Sequence, residues 1–171
     1  MMKLRQLAVA LLVNEKRELL FLRKKKGDAF FANLYLPIGG HIDEHELNNP
    51  EAACYREIFE ETGITRSSIR DLRLAYIIHR LKEKEIRIQY VFVGQVHANQ
   101  ILVPSNEGEL FWMSIDNSTL THNISETTYE LLTHFKKNVS LNEAIFVGSM
   151  HAEKGKPAIT WSTLEDWEHK Q

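Results

Sequence analysis

Apolar positions along the chain fall into short runs that repeat every two residues or at helical spacing, with polar turns between them. Leu4 to Val13 is apolar and β-branched enough to predict a strand, with a hairpin turn at Asn14-Glu15-Lys16-Arg17 and a returning strand over Glu18 to Arg23. Two more strands are predicted over Leu72 to Leu81 and Glu85 to Val96, joined by an exposed turn at Lys82-Glu83-Lys84. The alternation in IRIQYVFVGQV favours strand over helix there. Leu110 to Ile115 reads as another strand, and Ala144 to Met150 with Pro157 to Trp161 as a final hairpin across His151 to Lys156. Helical spacing appears twice. Pro50 suits a first helical turn, with Ala52, Ala53, Ile58 and Ile64 as packing positions. Ser125 can cap a second helix whose Tyr129, Leu132 and Phe135 form an apolar stripe. Gly27 to Asn33 reads as loop, with Phe30 and Phe31 as either a base-facing lip or core. Gly39 and Gly40 would let the backbone turn sharply and approach a ligand closely.

A length of 171 residues predicts one domain, 1–171, with the hairpin and tail at about 141–171. The 43% hydrophobic and 26% charged content is that of a globular protein. No apolar run reaches the roughly 18 residues of a membrane span. The N-terminus opens like a signal peptide, but a β-strand explains its apolar run better. A net charge of −2 gives no pull on a nucleic acid polymer. The single cysteine, Cys54, excludes an internal disulfide framework, which fits a cytoplasmic setting; as a buried thiol it is expected to be inert. Trp161, Trp167 and the tail from Ser162 could cover a sheet edge or a partner subunit, as in a homodimer.

Candidate chemistry concentrates in REIFEETGI. Glu57, Glu60 and Glu61 stand at i, i+3 and i+4, so a helix puts them on one face. Like charges so placed cost a helix roughly a few tenths of a kcal/mol per pair, and a hard divalent cation with oxygen ligands would neutralise them. Gly39 and Gly40, then Glu46, precede the cluster; Arg56 adjoins Glu57, and Gly63 stands where a helix ends in a left-handed residue. This order resembles the Nudix box, Gly-x5-Glu-x7-Arg-Glu-U-x-Glu-Glu-x-Gly-U. One departure exists: nine residues separate Glu46 from Arg56 where the box has seven. The extra pair is expected in the loop around Leu47-Asn48-Asn49.

The resemblance implies an α/β Nudix fold, an α/β/α sandwich with a mixed central sheet. It implies that Mg²⁺ (or Mn²⁺) is held by Glu57, Glu60, Glu61, Glu107 and the carbonyl of Gly39, with Arg56 clamping Glu46 to orient the loop. Glu107, with Glu109 as second choice, comes from NEGELFWMSID, which looks like the acidic loop before a Trp-containing strand. The general base is then Glu57 or Glu107. Arg23, leading the basic run Arg23-Lys24-Lys25-Lys26, would meet phosphates, and Ser125 with Asn123 would lie near the base. Similarity to MutT-like members implies a nucleoside triphosphate, oxidised or normal, cut to monophosphate and pyrophosphate. ADP-ribose or a dinucleoside polyphosphate is the enzymatic alternative, and a nucleotide-sensing module the non-catalytic one. The SQPWPFPxS pattern of NADH-cleaving members is absent. The expected partner is a small nucleotide, with neither nucleic acid polymer nor membrane.

Overall fold

A computed structural model describes residues 1–24, 33–103, 107–138 and 143–168. Its strands are β1 (Lys3–Val13), β2 (Glu18–Lys24), β3 (Tyr35–His41), β4 (Arg70–Lys82), β5 (Glu85–Gln95), β6 (Gly108–Ser114), β7 (Ile145–Glu153) and β8 (Lys156–Leu164). Its helices are α1 (Pro50–Thr62), α2 (Ser118–His122) and α3 (Glu126–Asn138). The described strands form one sheet in the order β6-β2-β3-β1-β5-β4-β7-β8. β1 runs parallel to β5 and β4 parallel to β7, while the other neighbours are antiparallel.

Both faces of this mixed sheet are buried, which is why β1 reads as a continuous apolar run. Ala8, Ala10 and Leu12 point to one face and pack with Ala53, Cys54 and Ile58 of α1. Val9 and Leu11 point to the other and pack with Leu131, Leu132 and Phe135 of α3. The result is the expected α/β sandwich. Burial also pushes the Cys54 thiol above its ordinary range, in keeping with an inert side chain.

Local chemistry sets the boundaries of α1. Asn49 accepts a hydrogen bond from the Ala52 amide at 3.1 Å, Pro50 opens the first turn, and Gly63 closes the helix at φ 71° with its N–H on the Phe59 carbonyl. Leu47, Asn48 and Asn49 lie between a 3-10 turn at Glu44–Glu46 and this helix, so the lengthened stretch is loop.

Several expectations need correction. Gly39 and Gly40 do not make a sharp turn; they continue β3, opposite Val9 and Ala8 of β1. Their small size matters for close approach instead: a Cβ on Gly39, which has φ +140°, would lie 2.2 Å from the Ala8 carbonyl oxygen. A Cβ on Gly40 would lie within 2.7 Å of the Glu57 carboxylate. The last hairpin is longer than its alternation suggests, because β7 and β8 pair down to Glu153 opposite Lys156 and the turn needs only Lys154 and Gly155, both at positive φ. The short helix α2, capped by Asn117, was not expected. Phe30, Phe31, Lys25, Lys26 and the Pro104–Asn106 stretch lie outside the described residues. Among the described residues, no helix is long and apolar enough to cross a membrane.

Gly39→Ala should be strongly destabilising, because it meets backbone that cannot yield and a φ that side chains avoid. We expect a loss on the order of 2–4 kcal/mol, measured by denaturant unfolding, while the exposed turn variant Gly155→Ala should lose much less.

Candidate active site

Packed against β1 and β3, α1 turns its acidic side towards the end of β3. Glu61 is only 5% exposed and accepts the Gly39 amide on Oε2 at 2.9 Å. Glu57 is largely buried, whereas the Glu60 side chain is 55% exposed. Arg56 joins the surrounding pieces. Its Nε and Nη2 donate to the two oxygens of Glu46, each at 2.9 Å, and Nη2 also donates to the His41 carbonyl. Its Nη1 reaches Glu57 Oε1 at 2.9 Å and Glu60 Oε2 at 3.1 Å, engaging one oxygen of each. The two-point grip on Glu46 holds that carboxyl below its usual range, Arg56 being the main cause. Asp43, His45 and Glu46 form a described trio whose ligand atoms lie within 4.8 Å of one another. Arg56 already occupies both Glu46 oxygens and stands 4.0 Å from Asp43, so this trio anchors a clamp.

Glu107 approaches from the chain preceding β6, with Lys24 Nζ at 3.7 Å from its Oε2. Burial is the main force on the acids nearest it. It pushes Glu61 up to about 8, against the Gly39 amide, and the charges of Glu107 and Glu57 add to the rise. Burial also raises Glu57; Arg56 pulls it back, and Glu60 and Glu107 push it further up. Buried acids that repel one another and offer only oxygen donors fit a hard divalent cation.

These groups form one wall of a cavity of about 1090 Å³. Gly39, Gly40, Glu57, Glu60, Glu61, Glu107 and Lys24 line it together. Val9 of β1, Ile78 and Arg80 of β4, Arg87 of β5, the start of α3 and the β7–β8 hairpin line it as well. Ser125 and Thr128 border the cavity, with Ser125 Oγ capping α3 through the Thr128 amide. Arg23 is not among the lining residues. It pairs with Glu109 at 3.1 Å and lies over the Phe111 ring, so its neighbour Lys24 is the described cation of that run on the wall. Asn123 is likewise elsewhere, its amide donating to the Thr119 carbonyl.

Sequence reasoning missed Arg80, Arg87 and the hairpin's Lys156 as wall residues. For the arginines the expected three-residue turn at Lys82-Glu83-Lys84 would pair position 80 with position 86; the turn is only Glu83-Lys84, so Lys82 lies opposite Glu85 and Arg80 opposite Arg87.

The NUDIX domain family model matches residues 3–135. The chain belongs to the Nudix family. Members of that family act on phosphoanhydrides. The fold of this Nudix protein is shared with a MutT protein from Methanosarcina mazei Go1 (TM-score 0.67, 24% identity, covering 81% of this chain and 96% of that one). A MutT protein from Bacillus halodurans is similar at TM-score 0.64 and 19% identity, covering 93% and 97% of the two chains. An Ap4A hydrolase from C. elegans matches at TM-score 0.64 and 15% identity, covering 80% and 98%. No curated protein matches the chain. The hairpin β7–β8 lies beyond the stretch matched by the family model.

The raised Glu61 has a consequence for stability. In the window from the unfolded value of 4.5 to the folded value of about 8, the folded chain holds a proton that the unfolded chain has lost, so stability falls as pH rises through it. Glu46 acts oppositely: its contribution is fully present above the unfolded value of 4.5 and is lost as pH falls from there through its lowered folded pKa. In metal-free buffer the thermal midpoint should therefore drop between pH 5 and pH 8. Glu61→Gln should flatten that slope, and millimolar Mg²⁺ should recover the midpoint at pH 8.

Proposed function

We propose that this Nudix protein is a Mg²⁺- or Mn²⁺-dependent hydrolase that cuts a nucleoside triphosphate to a monophosphate and pyrophosphate. The observation that carries the reading is the wall of Glu57, Glu61 and Glu107: acids pushed together in a partly buried place, facing a cavity of nucleotide size. Glu57, Glu60, Glu61 and Glu107, with the backbone oxygen of Gly39, would hold the cation. Bound there, it would offset phosphate charge and lower the pKa of water.

The chain's own groups do the rest. Glu57 takes the proton of the attacking water on Oε2, since Arg56 engages Oε1 and burial has made the carboxylate more basic. Arg56 and Glu46 are positioning residues: their two-point pair fixes the end of β3 against α1. Lys24 meets substrate phosphate, and Ser125 borders the nucleoside from the start of α3. A dinucleoside polyphosphate is the second reading, favoured by a cavity of about 1090 Å³ and by the likeness to the C. elegans hydrolase fold.

Glu60 is half in solvent, so Glu60→Gln should keep the fold while turnover falls by about 10² or more. The check is release of phosphate or pyrophosphate from normal and oxidised dNTPs, ADP-ribose and diadenosine polyphosphates. Stabilisation by a nucleotide with no product anywhere in the panel would replace the hydrolase with a nucleotide sensor.

A further inference from the structure

Arg80 of β4 and Arg87 of β5 stand directly opposite each other in the antiparallel register, and both line the cavity. Like charges so placed work against the sheet unless an anion joins them. Their present partners supply little of one. Arg87 Nε donates to Glu85 Oε1, but Glu85 also accepts from Arg5 Nη2 at 3.0 Å, so one carboxylate serves two guanidinium groups. Among the described residues, Arg80 has one hydrogen bond, from Nη1 to Thr127 Oγ1 at a long 3.5 Å. Burial, then the charge of Arg87, lowers the pKa of Arg80. Thr127 belongs to the first turn of α3, and Lys156 and His151 of the terminal hairpin line the same cavity, with Glu126 the acidic side chain beside them. The lining of the cavity thus combines carboxylates of α1 with guanidinium groups of β4 and β5.

We propose that Arg80 and Arg87 form an anion subsite for a phosphate group of the substrate other than those at the scissile phosphoanhydride. The preferred substrates are then nucleotides that carry a further, separate phosphate. Planar guanidinium forks match phosphate oxygens two at a time, and a bound phosphate removes the repulsion between the two side chains. This assignment rests on the cavity being the nucleotide site. Its test reads binding, so it stays separable from failure of hydrolysis.

Calorimetry on the full chain would compare AMP with adenosine 2′,5′-bisphosphate and adenosine 3′,5′-bisphosphate. At least one bisphosphate should bind about tenfold or more tightly than AMP, and Arg80→Gln/Arg87→Gln should erase that gain, bringing the ratio of bisphosphate to AMP affinity to about one. Because the double variant removes a repulsion, its unfolding midpoint should not fall. No advantage over AMP for either bisphosphate, or an advantage that survives in the variant, overturns the proposal. Orthophosphate alone is the control for a free anion: binding as tight as the best nucleotide and not competitive with it would also overturn the assignment to substrate.

Discussion

One guanidinium organises the acidic side of the cavity. Arg56 reaches the 3-10 turn through Glu46, the end of β3 through the His41 carbonyl, and its own helix through Glu57 and Glu60. Such a fork is costly to desolvate and strong once every arm is matched, so its partners must sit in fixed places. A strand end, a turn and a helix that would otherwise meet loosely are thereby locked into one geometry. The acidic side of α1 inherits its aim from that lock.

The sheet provides the other constraint. Because helices cover both of its faces, its strands cannot shift register without exposing one core or the other. That rigidity explains how groups from distant parts of the sequence can share one cavity: Gly39 from β3, Arg80 and Arg87 from β4 and β5, Glu107 before β6 and Lys156 from β8. Charge is divided across that space, with carboxylates at α1 and guanidinium groups on the sheet. A substrate with cation-bound phosphates at one end and another anion at the other would be complementary to both.

Much of this was legible in the chain. The i, i+3, i+4 spacing put Glu57, Glu60 and Glu61 on one helix, and Pro50 and Gly63 announced its ends. The strands with clean alternation were found almost to the residue: Glu85 to Val96 was expected and Glu85–Gln95 observed. What stayed hidden depends on three-dimensional neighbours. β3 carries two glycines and a proline, poor strand formers, and is strand because β1 and β2 pair with it. The family resemblance implied Arg23 as a phosphate contact, whereas the pairing of β2 with β6 sets it beside Glu109 and Phe111, off the cavity lining. The burial that lifts Glu61 comes from packing against β3, which no local pattern reports.

The terminal hairpin has a consequence for how such a protein can diverge. β7 joins the sheet only by lying beside β4, after the part of the chain that matches the family model, and it brings Lys156 and His151 to the cavity from there. The acidic cluster and this outer ribbon therefore reside in separate stretches of polypeptide. Reshaping the exposed tip of that ribbon would alter its share of the cavity lining while leaving the sequence of the acidic cluster untouched.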